Sequence, residues 1–182
     1  ALEEILCELE GAEALVMDLR FNGGGRDGHS LAILSRLVAE RTLAWTKEAR
    51  SGPGWTPQAS RYVEPSQGRR WTKPIYVLTS GLTASAAETF ALGLSARPGV
   101  VFVGEPSAGI FSDMLPRRLP NGWIATLSNE RYRGPDGSRP EGLGIRPGVE
   151  APMDPALAAA GRDPALDAVM RLEAERRRGG RP

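Results

Sequence analysis

Short apolar runs and helical patterns alternate along the first half of the chain. Apolar side chains at helical spacing predict helices over residues 2–9, 27–40 and 85–95. Continuous apolar runs predict buried strands over residues 14–19, 74–79 and 99–104, and a further strand at 43–46. A strand, a helix and a second strand in that order imply a right-handed parallel crossover. The pattern therefore predicts an α/β fold.

The second half of the chain has a different pattern. Strand candidates at residues 117–119, 123–127 and 130–133 are separated by Pro120-Asn121-Gly122 and followed by Pro135-Asp136-Gly137, which are turn signals. They predict a β meander, and residues 164–178 predict a closing helix. Residues 50–73 are rich in Gly, Pro and Ser, so a surface loop or a loose hairpin is expected there.

Composition excludes several classes of protein. With 182 residues, 41% hydrophobic and 25% charged, the chain predicts one globular domain over residues 1–182. A net charge of +1 argues against binding of nucleic acid or an anionic membrane surface. One cysteine, Cys7, and one histidine, His29, provide neither a disulfide nor a metal-ligand spacing. On the apolar face of its helix, Cys7 is expected to be a packed thiol.

Ser85 begins a predicted helix directly after a buried strand. Free backbone N–H groups and the positive end of the helix dipole favour a developing anion at such a position, which suits a nucleophile. The same residues, Ser85-Ala86-Ala87-Glu88, also match the S-x-x-E capping box, in which the serine hydroxyl only caps the helix. Both interpretations remain open at this point.

A glycine-rich loop, Asn22-Gly23-Gly24-Gly25, follows the first predicted strand. Glycines at a strand end let the backbone approach a ligand and direct N–H groups at it, as an oxyanion hole requires. The loop lacks the lysine of a phosphate loop and the spacing of a dinucleotide fingerprint, and a plain tight turn is the alternative. Two further loops rich in Gly and Pro, at residues 104–109 and 140–147, are expected at the rim of a cleft.

Taken in order, four motifs resemble the C-terminal processing, or tail-specific, serine peptidases. They are the D-L-R-x-N-G-G-G strand and loop, the T-A-S-A-A-E helix start, the G-E-P-S-x-G loop and the E-G-x-G-I-x-P segment, which together span about residues 10–150. The resemblance extends to the tricorn-like and interphotoreceptor-retinoid-binding-protein-like branch, in which a Leu-Pro-Asn-Gly-Trp strand is also expected. It implies a ClpP/crotonase-like spiral of parallel βα units, followed by the meander and the C-terminal helix.

The resemblance also assigns roles to individual residues. Ser85 becomes the nucleophile, and the N–H of Ala86 with that of Gly23 or Gly24 becomes the oxyanion hole. Where the processing proteases carry a lysine base, this sequence has Ile110, which cannot accept a proton. The tricorn-like arrangement is therefore expected, with a histidine as base and Glu141 in the position of the acidic residue that orients it.

The general base itself is expected to lie outside the given sequence. In that branch the histidine precedes the strand at residue 14, whereas His29 follows the glycine loop. His29 is expected to be an exposed helix residue, with a wall of the cleft or a substitute base as alternatives. An upstream segment that supplies the histidine, and with it a PDZ or helical domain, is expected in the full-length protein.

The resemblance predicts a serine endopeptidase core that binds a peptide or unfolded protein as an added strand. No cofactor, metal, nucleic-acid partner or membrane span is expected. The alternative is a non-catalytic module of the same fold that binds a peptide or an apolar ligand, as the retinoid-binding relatives do. A crotonase-like acyl-transfer enzyme would instead require a coenzyme A site. Export of relatives suggests a periplasmic or secreted location.

Overall fold

A computed structural model describes residues 2–179. Its helices are α1 (Leu2–Glu8), α2 (Asp27–Leu34), α3 (Ala86–Leu94), α4 (Pro155–Ala159) and α5 (Pro164–Gly179). Its strands are β1 (Leu15–Asp18), β2 (Thr42–Ser51), β3 (Gly54–Trp55), β4 (Ala59–Val63), β5 (Ile75–Thr79), β6 (Val100–Gly104), β7 (Met114–Arg118), β8 (Ile124–Ser128), β9 (Glu130–Arg133) and β10 (Val149–Glu150).

The centre of the fold is a parallel sheet with the strand order β1-β5-β6-β10. All residues of β5 are buried, because layers of side chains cover both faces of the sheet. Ile75 and Val77 point into a core that also contains residues of α2, α3 and β2. Tyr76 and Leu78 point to the other face, where α5 packs. The predicted α/β class and its parallel crossover are confirmed.

A second sheet lies beside this core and is built on the long strand β2. β2 pairs antiparallel with β3, β4 and β9. Part of residues 50–73, where a surface loop or a loose hairpin was expected, therefore forms a hairpin. β7 and β8 pair with each other as a separate hairpin. β9 leaves that hairpin and joins β2, so the three strands of the predicted meander are divided between two sheets. Pairing with a distant strand is a tertiary outcome that turn signals do not specify.

Several local predictions differ from the structure. The second helix ends at Leu34 rather than residue 40, and the apolar residues Leu37 and Val38 are buried outside the helix. The prediction that Cys7 is a packed thiol is wrong, because Cys7 is exposed. The inward face of α1 is instead formed by leucines such as Leu6. Trp45 and Trp71 are buried in the core.

Within residues 2–179, none of the helices combines the length and the apolar character needed to cross a membrane.

Candidate active site

Ser85 is held in an unusual backbone conformation at the start of α3. Its φ and ψ are 57° and −125°, and among residues 2–179 it is the only non-glycine residue with a positive φ. Such a conformation costs about 1–3 kcal/mol and persists where the surrounding structure imposes it, most often at functional sites. In α/β-hydrolases, a sharp, strained turn from a strand into a helix presents the nucleophilic serine. The turn at Ser85 therefore has the geometry of a nucleophile position.

The turn between β5 and α3 is fastened to its neighbours on both sides. The fully buried hydroxyl of Thr83 donates to the Leu19 carbonyl oxygen at 2.8 Å, at the end of β1. The Ala84 N–H donates to the Asn22 carbonyl oxygen at 3.1 Å, and the Ser85 N–H donates to the Ile110 carbonyl oxygen at 3.0 Å. These bonds join the turn to the glycine-rich loop and to the loop after β6.

The glycine-rich loop approaches Ser85 most closely at Gly24, whose φ is +105°. A Cβ atom added to Gly24 would lie 2.7 Å from the Ser85 Cβ and 2.9 Å from the Ala86 nitrogen, so only glycine fits there. An added Cβ at Gly23 would meet nothing within 4 Å. The structure thus brings Ser85, Ala86 and Gly24 together, while the Cβ direction of Gly23 points into open space.

The N–H groups of this region differ in their hydrogen bonding. The Gly24 N–H donates to the exposed Asn22 Oδ1 at 3.0 Å. The Ala86 N–H has no hydrogen-bond acceptor within the described part of the chain. Ala86 therefore presents a free N–H donor directly after Ser85. The Gly24 N–H would have to leave Asn22 Oδ1 before it could bind another acceptor.

Glu88 is the buried anchor of the site. Its side chain is fully buried, and its carboxylate accepts the N–H groups of Gly109 at 2.7 Å and Ile110 at 2.8 Å. It also accepts the Ser107 hydroxyl and the Ser85 N–H, the latter at 3.2 Å. The glutamate half of the predicted capping box is thus present. The same carboxylate also holds the loop after β6, a role that the local motif did not indicate.

Two further carboxylates accept the next backbone N–H groups along the chain. Glu141 Oε2 accepts the N–H groups of Phe111 at 3.1 Å and Ser112 at 3.0 Å, and Glu130 accepts the Asp113 N–H at 3.3 Å. Burial raises the pKa of the Glu141 carboxyl above its usual range. The two N–H bonds oppose this shift, and the neighbouring carboxylates of Glu88 and Glu130 add to it. Glu130 also forms an ion pair with Lys47 at 2.9 Å, and the sequence motifs indicated neither residue.

His29 lies in the first turn of α2, where it is exposed as the sequence predicted. With Gly24, Ala86 and Phe90 it borders a cavity of about 220 Å³. The Ser30 hydroxyl, one residue further on, donates to the Ala86 carbonyl oxygen at 2.9 Å and so ties α2 to the start of α3. His29 is a wall residue of this cavity, which is one of the alternatives considered for it.

A larger cavity of about 430 Å³ lies at the carboxyl end of the parallel sheet, between the turn at Leu82, the residue Glu105 and the start of α5. Neither Ser85 nor Ala86 lines it. Within the described part of the chain, no group of three or more His, Cys, Asp and Glu side chains is arranged to hold a metal ion.

Comparison with known proteins identifies the family to which this site belongs. The family model for peptidase family S41 matches residues 1–151. The chain belongs to peptidase family S41. This is a family of serine peptidases that includes the C-terminal processing proteases, so the resemblance seen in the motifs is confirmed.

Individual relatives support the same conclusion. The carboxy-terminal processing protease CtpA of Bacillus subtilis is 26% identical over 146 residues, which are 80% of this chain and 30% of that protein. A candidate peptidase from Parabacteroides merdae superposes with a TM-score of 0.88 and 28% identity, over 94% of this chain and 55% of that one. The photosystem II D1 C-terminal processing protease superposes with a TM-score of 0.68 and 25% identity, over 86% of this chain and 39% of that one. The chain thus spans between about a third and about half of these relatives.

The role of Glu88 can be tested by replacing its charge. Glu88→Gln keeps the size of the side chain but places an amide NH2 against groups that are themselves donors, so we expect a loss of about 2–3 kcal/mol in the free energy of unfolding. Urea denaturation followed by circular dichroism measures the change. Glu175→Gln, in an exposed position of α5, is the matched control and should change stability by less than about 0.5 kcal/mol. Equal effects of the two substitutions would contradict the anchoring role.

Backbone strain at Ser85 predicts an inverted preference between alanine and glycine. Ser85→Ala and Ser85→Gly both remove the hydroxyl, but only glycine adopts φ 57° without strain, so the glycine variant should be more stable by about 1 kcal/mol. Ser95 ends the same helix at φ −60°, and there the alanine variant should be at least as stable as the glycine variant. Thermal denaturation of the four variants measures both differences. A Ser85→Ala variant as stable as Ser85→Gly would show that the turn is unstrained.

Proposed function

We propose that this chain is the core of a serine endopeptidase in which Ser85 attacks the peptide carbonyl. The observation that carries the proposal is the strained Ser85, held between the glycine-rich loop and the loop after β6. In the attack, the Ser85 Oγ bonds to the carbonyl carbon and gives its proton to a base, and negative charge develops on the carbonyl oxygen. The amine later leaves with a proton returned by that base, and water releases the acyl group.

The developing oxyanion is stabilised by the Ala86 N–H and by a second donor from the glycine-rich loop. Ala86 has a free N–H at the start of α3, where the helix dipole favours negative charge. Gly24 makes the closer backbone approach to Ser85 and Ala86, so we assign the second donor to it rather than to Gly23. Its present acceptor, Asn22 Oδ1, belongs to an exposed side chain that a substrate oxygen can replace.

The base in this proposal is a histidine supplied from outside the described residues and oriented by Glu141. Only Oε2 of Glu141 is used by the Phe111 and Ser112 N–H groups. Oε1 receives no hydrogen bond from residues 2–179 and is free to accept one from an imidazole. The neighbouring carboxylate of Glu88 favours the imidazolium that forms when the base takes the proton, whereas the charge of Glu130 is balanced by Lys47. The histidine itself, and a PDZ or helical domain with it, are expected in the upstream part of the polypeptide.

The substrate in this proposal is an extended peptide or unfolded protein. The cavity of about 220 Å³ beside Ala86 has an apolar floor that includes Leu19, Ile33 and Phe90, which suits an apolar side chain next to the attacked carbonyl. Export of the processing proteases makes a periplasmic or secreted location the expected one.

A non-catalytic binding module of the same fold is the second candidate. Two observations favour it: Ile110 replaces the lysine base of the processing proteases, and the Gly24 N–H is engaged with Asn22. Such a module would keep the cleft and bind a peptide or an apolar ligand without turnover.

A fluorophosphonate probe separates these two candidates. In the full-length polypeptide we expect covalent labelling at Ser85, detected by mass spectrometry of the labelled peptide, because an activated serine hydroxyl attacks phosphorus readily. Ser85→Ala should remove the label, and His29→Ala should leave the labelling rate within about twofold. Label on another serine, or loss of label in His29→Ala with the fold preserved, would contradict the assigned roles.

A lysine placed at position 110 should create a base within the chain itself. The Ile110 carbonyl oxygen is bonded to the Ser85 N–H, so a side chain at this position begins beside the nucleophile. In the 182-residue chain, Ile110→Lys should accelerate hydrolysis of an unstructured peptide about a hundredfold, with a rate that rises with pH as the amine loses its proton. Liberation of new amino groups measures the rate.

Ile5→Lys is the matched control for this gain, because Ile5 and Ile110 are about equally exposed, at 49% and 50%. The control should not accelerate hydrolysis, and Ser85→Ala should abolish the gain in Ile110→Lys. An equal rate increase in both lysine variants, or none in a folded Ile110→Lys chain, would argue against Ser85 as the nucleophile.

A further inference from the structure

The β7–β8 hairpin begins at the segment that binds Ser85. The Ser112 hydroxyl accepts the N–H groups of Asn129 at 3.1 Å and Glu130 at 3.0 Å, which closes the base of the hairpin. Ile110, whose carbonyl oxygen accepts the Ser85 N–H, is two residues before Ser112. The first strand of the hairpin, β7, begins at Met114, which at about 3.3 Å per residue is roughly 13 Å along the chain from the contact with Ser85.

The hydrogen-bond pattern of the hairpin shows which backbone groups point outward. The Leu119 N–H donates to the Trp123 carbonyl oxygen at 2.7 Å, so this opposed pair is hydrogen-bonded. Hydrogen-bonded and non-hydrogen-bonded pairs alternate along an antiparallel ladder. The opposed residues Pro116 and Thr126 therefore form a non-hydrogen-bonded pair, and their backbone N and C=O groups point away from the partner strand. On β8, the outward groups are those of Ile124, Thr126 and Ser128.

The two edges of the hairpin differ in how they are protected against further pairing. Proline and basic side chains are the usual devices that block strand addition. β7 carries three of them, with Pro116 removing an outward donor and Arg117 and Arg118 adding charge. β8 reads Ile-Ala-Thr-Leu-Ser and carries none.

Exposed apolar side chains lie on β8 and directly before it. Trp123, Ile124 and Leu127 are 72%, 64% and 62% exposed. Leu127 and Trp123 lie on one face of the hairpin and Ile124 on the other, so a strand beside β8 would find apolar contacts on both faces. An open donor and acceptor row with apolar flanks is the arrangement that receives an extended peptide.

We propose that the outer edge of β8 is the template on which the extended peptide substrate adds as a strand. The identification of the occupant as the substrate rests on the proposed peptidase function, since the hairpin extends from the segment that holds Ser85. A second copy of the chain, paired through β8 alone, would join strands of five residues, which fall short of the roughly 800 Å² per partner of a stable interface. The peptide backbone provides affinity, and apolar side chains at alternate positions provide preference.

Substitutions on the two edges test this assignment. Binding of a fluorescein-labelled, unstructured octapeptide with Val or Leu at alternate positions is measured by fluorescence anisotropy in the Ser85→Ala chain, which prevents turnover. Thr126→Pro removes one outward donor without breaking the hairpin's own ladder and should weaken binding about tenfold. Thr126→Val keeps the N–H, and Met114→Pro removes an outward donor from β7, so both should bind within about twofold of the parent.

A backbone scan of the peptide tests the same contact from the other side. N-methylation removes one peptide N–H at a time, and strand addition predicts that affinity falls at every second residue. Loss of affinity without this period of two would overturn the proposal, as would equal binding by Thr126→Pro and Thr126→Val. A concentration-dependent dimer in sedimentation experiments that Thr126→Pro abolishes would assign the edge to a second copy instead.

A separate measurement distinguishes failure of the peptidase function from failure of the strand-addition proposal. Fluorophosphonate labelling of Ser85 in the full-length polypeptide reports on the nucleophile and does not require the β8 edge. If Ser85 is not labelled but binding shows the period of two and the Thr126→Pro loss, the edge is a peptide site and the peptidase function is wrong. If Ser85 is labelled and Thr126→Pro binds normally, the strand-addition proposal is wrong.

Discussion

The buried carboxylate of Glu88 is the interaction on which the site depends. A charge removed from water costs several kcal/mol unless donors surround it, and here the loop after β6 and the turn at Ser85 provide those donors. The loop and the turn are held in place because moving either would leave the buried carboxylate without a donor. The position of Ser85 and the course of residues 107–113 are therefore parts of one arrangement.

The strain at Ser85 follows from the same arrangement. The turn before α3 is bonded to the end of β1 through Thr83 and to Ile110 through the Ser85 N–H, so the backbone between them cannot relax. Gly24 completes the enclosure, since any larger residue would collide with Ser85 and Ala86. Gly24, Ser85 and the N-terminus of α3 are thereby held close together.

The row of carboxylates also connects the nucleophile to substrate binding. Glu88, Glu141 and Glu130 hold five consecutive backbone N–H groups at residues 109–113. The chain leaves this segment directly into the β7–β8 hairpin. A strand bound along β8 would therefore be positioned by the same segment that positions Ser85.

Local sequence patterns alone determined much of the fold and some of the site. The strands β1, β5 and β6 were predicted from apolar runs, which are typical of parallel strands with both faces covered, and the start of α3 at Ser85 was predicted from helical spacing. The tertiary structure alone decided that β9 pairs with β2, that Gly24 rather than Gly23 lies against Ala86, and that Glu88 binds the loop after β6. These contacts join residues far apart in the chain through backbone atoms, and every residue has the same backbone groups, so no pattern of side chains reveals them.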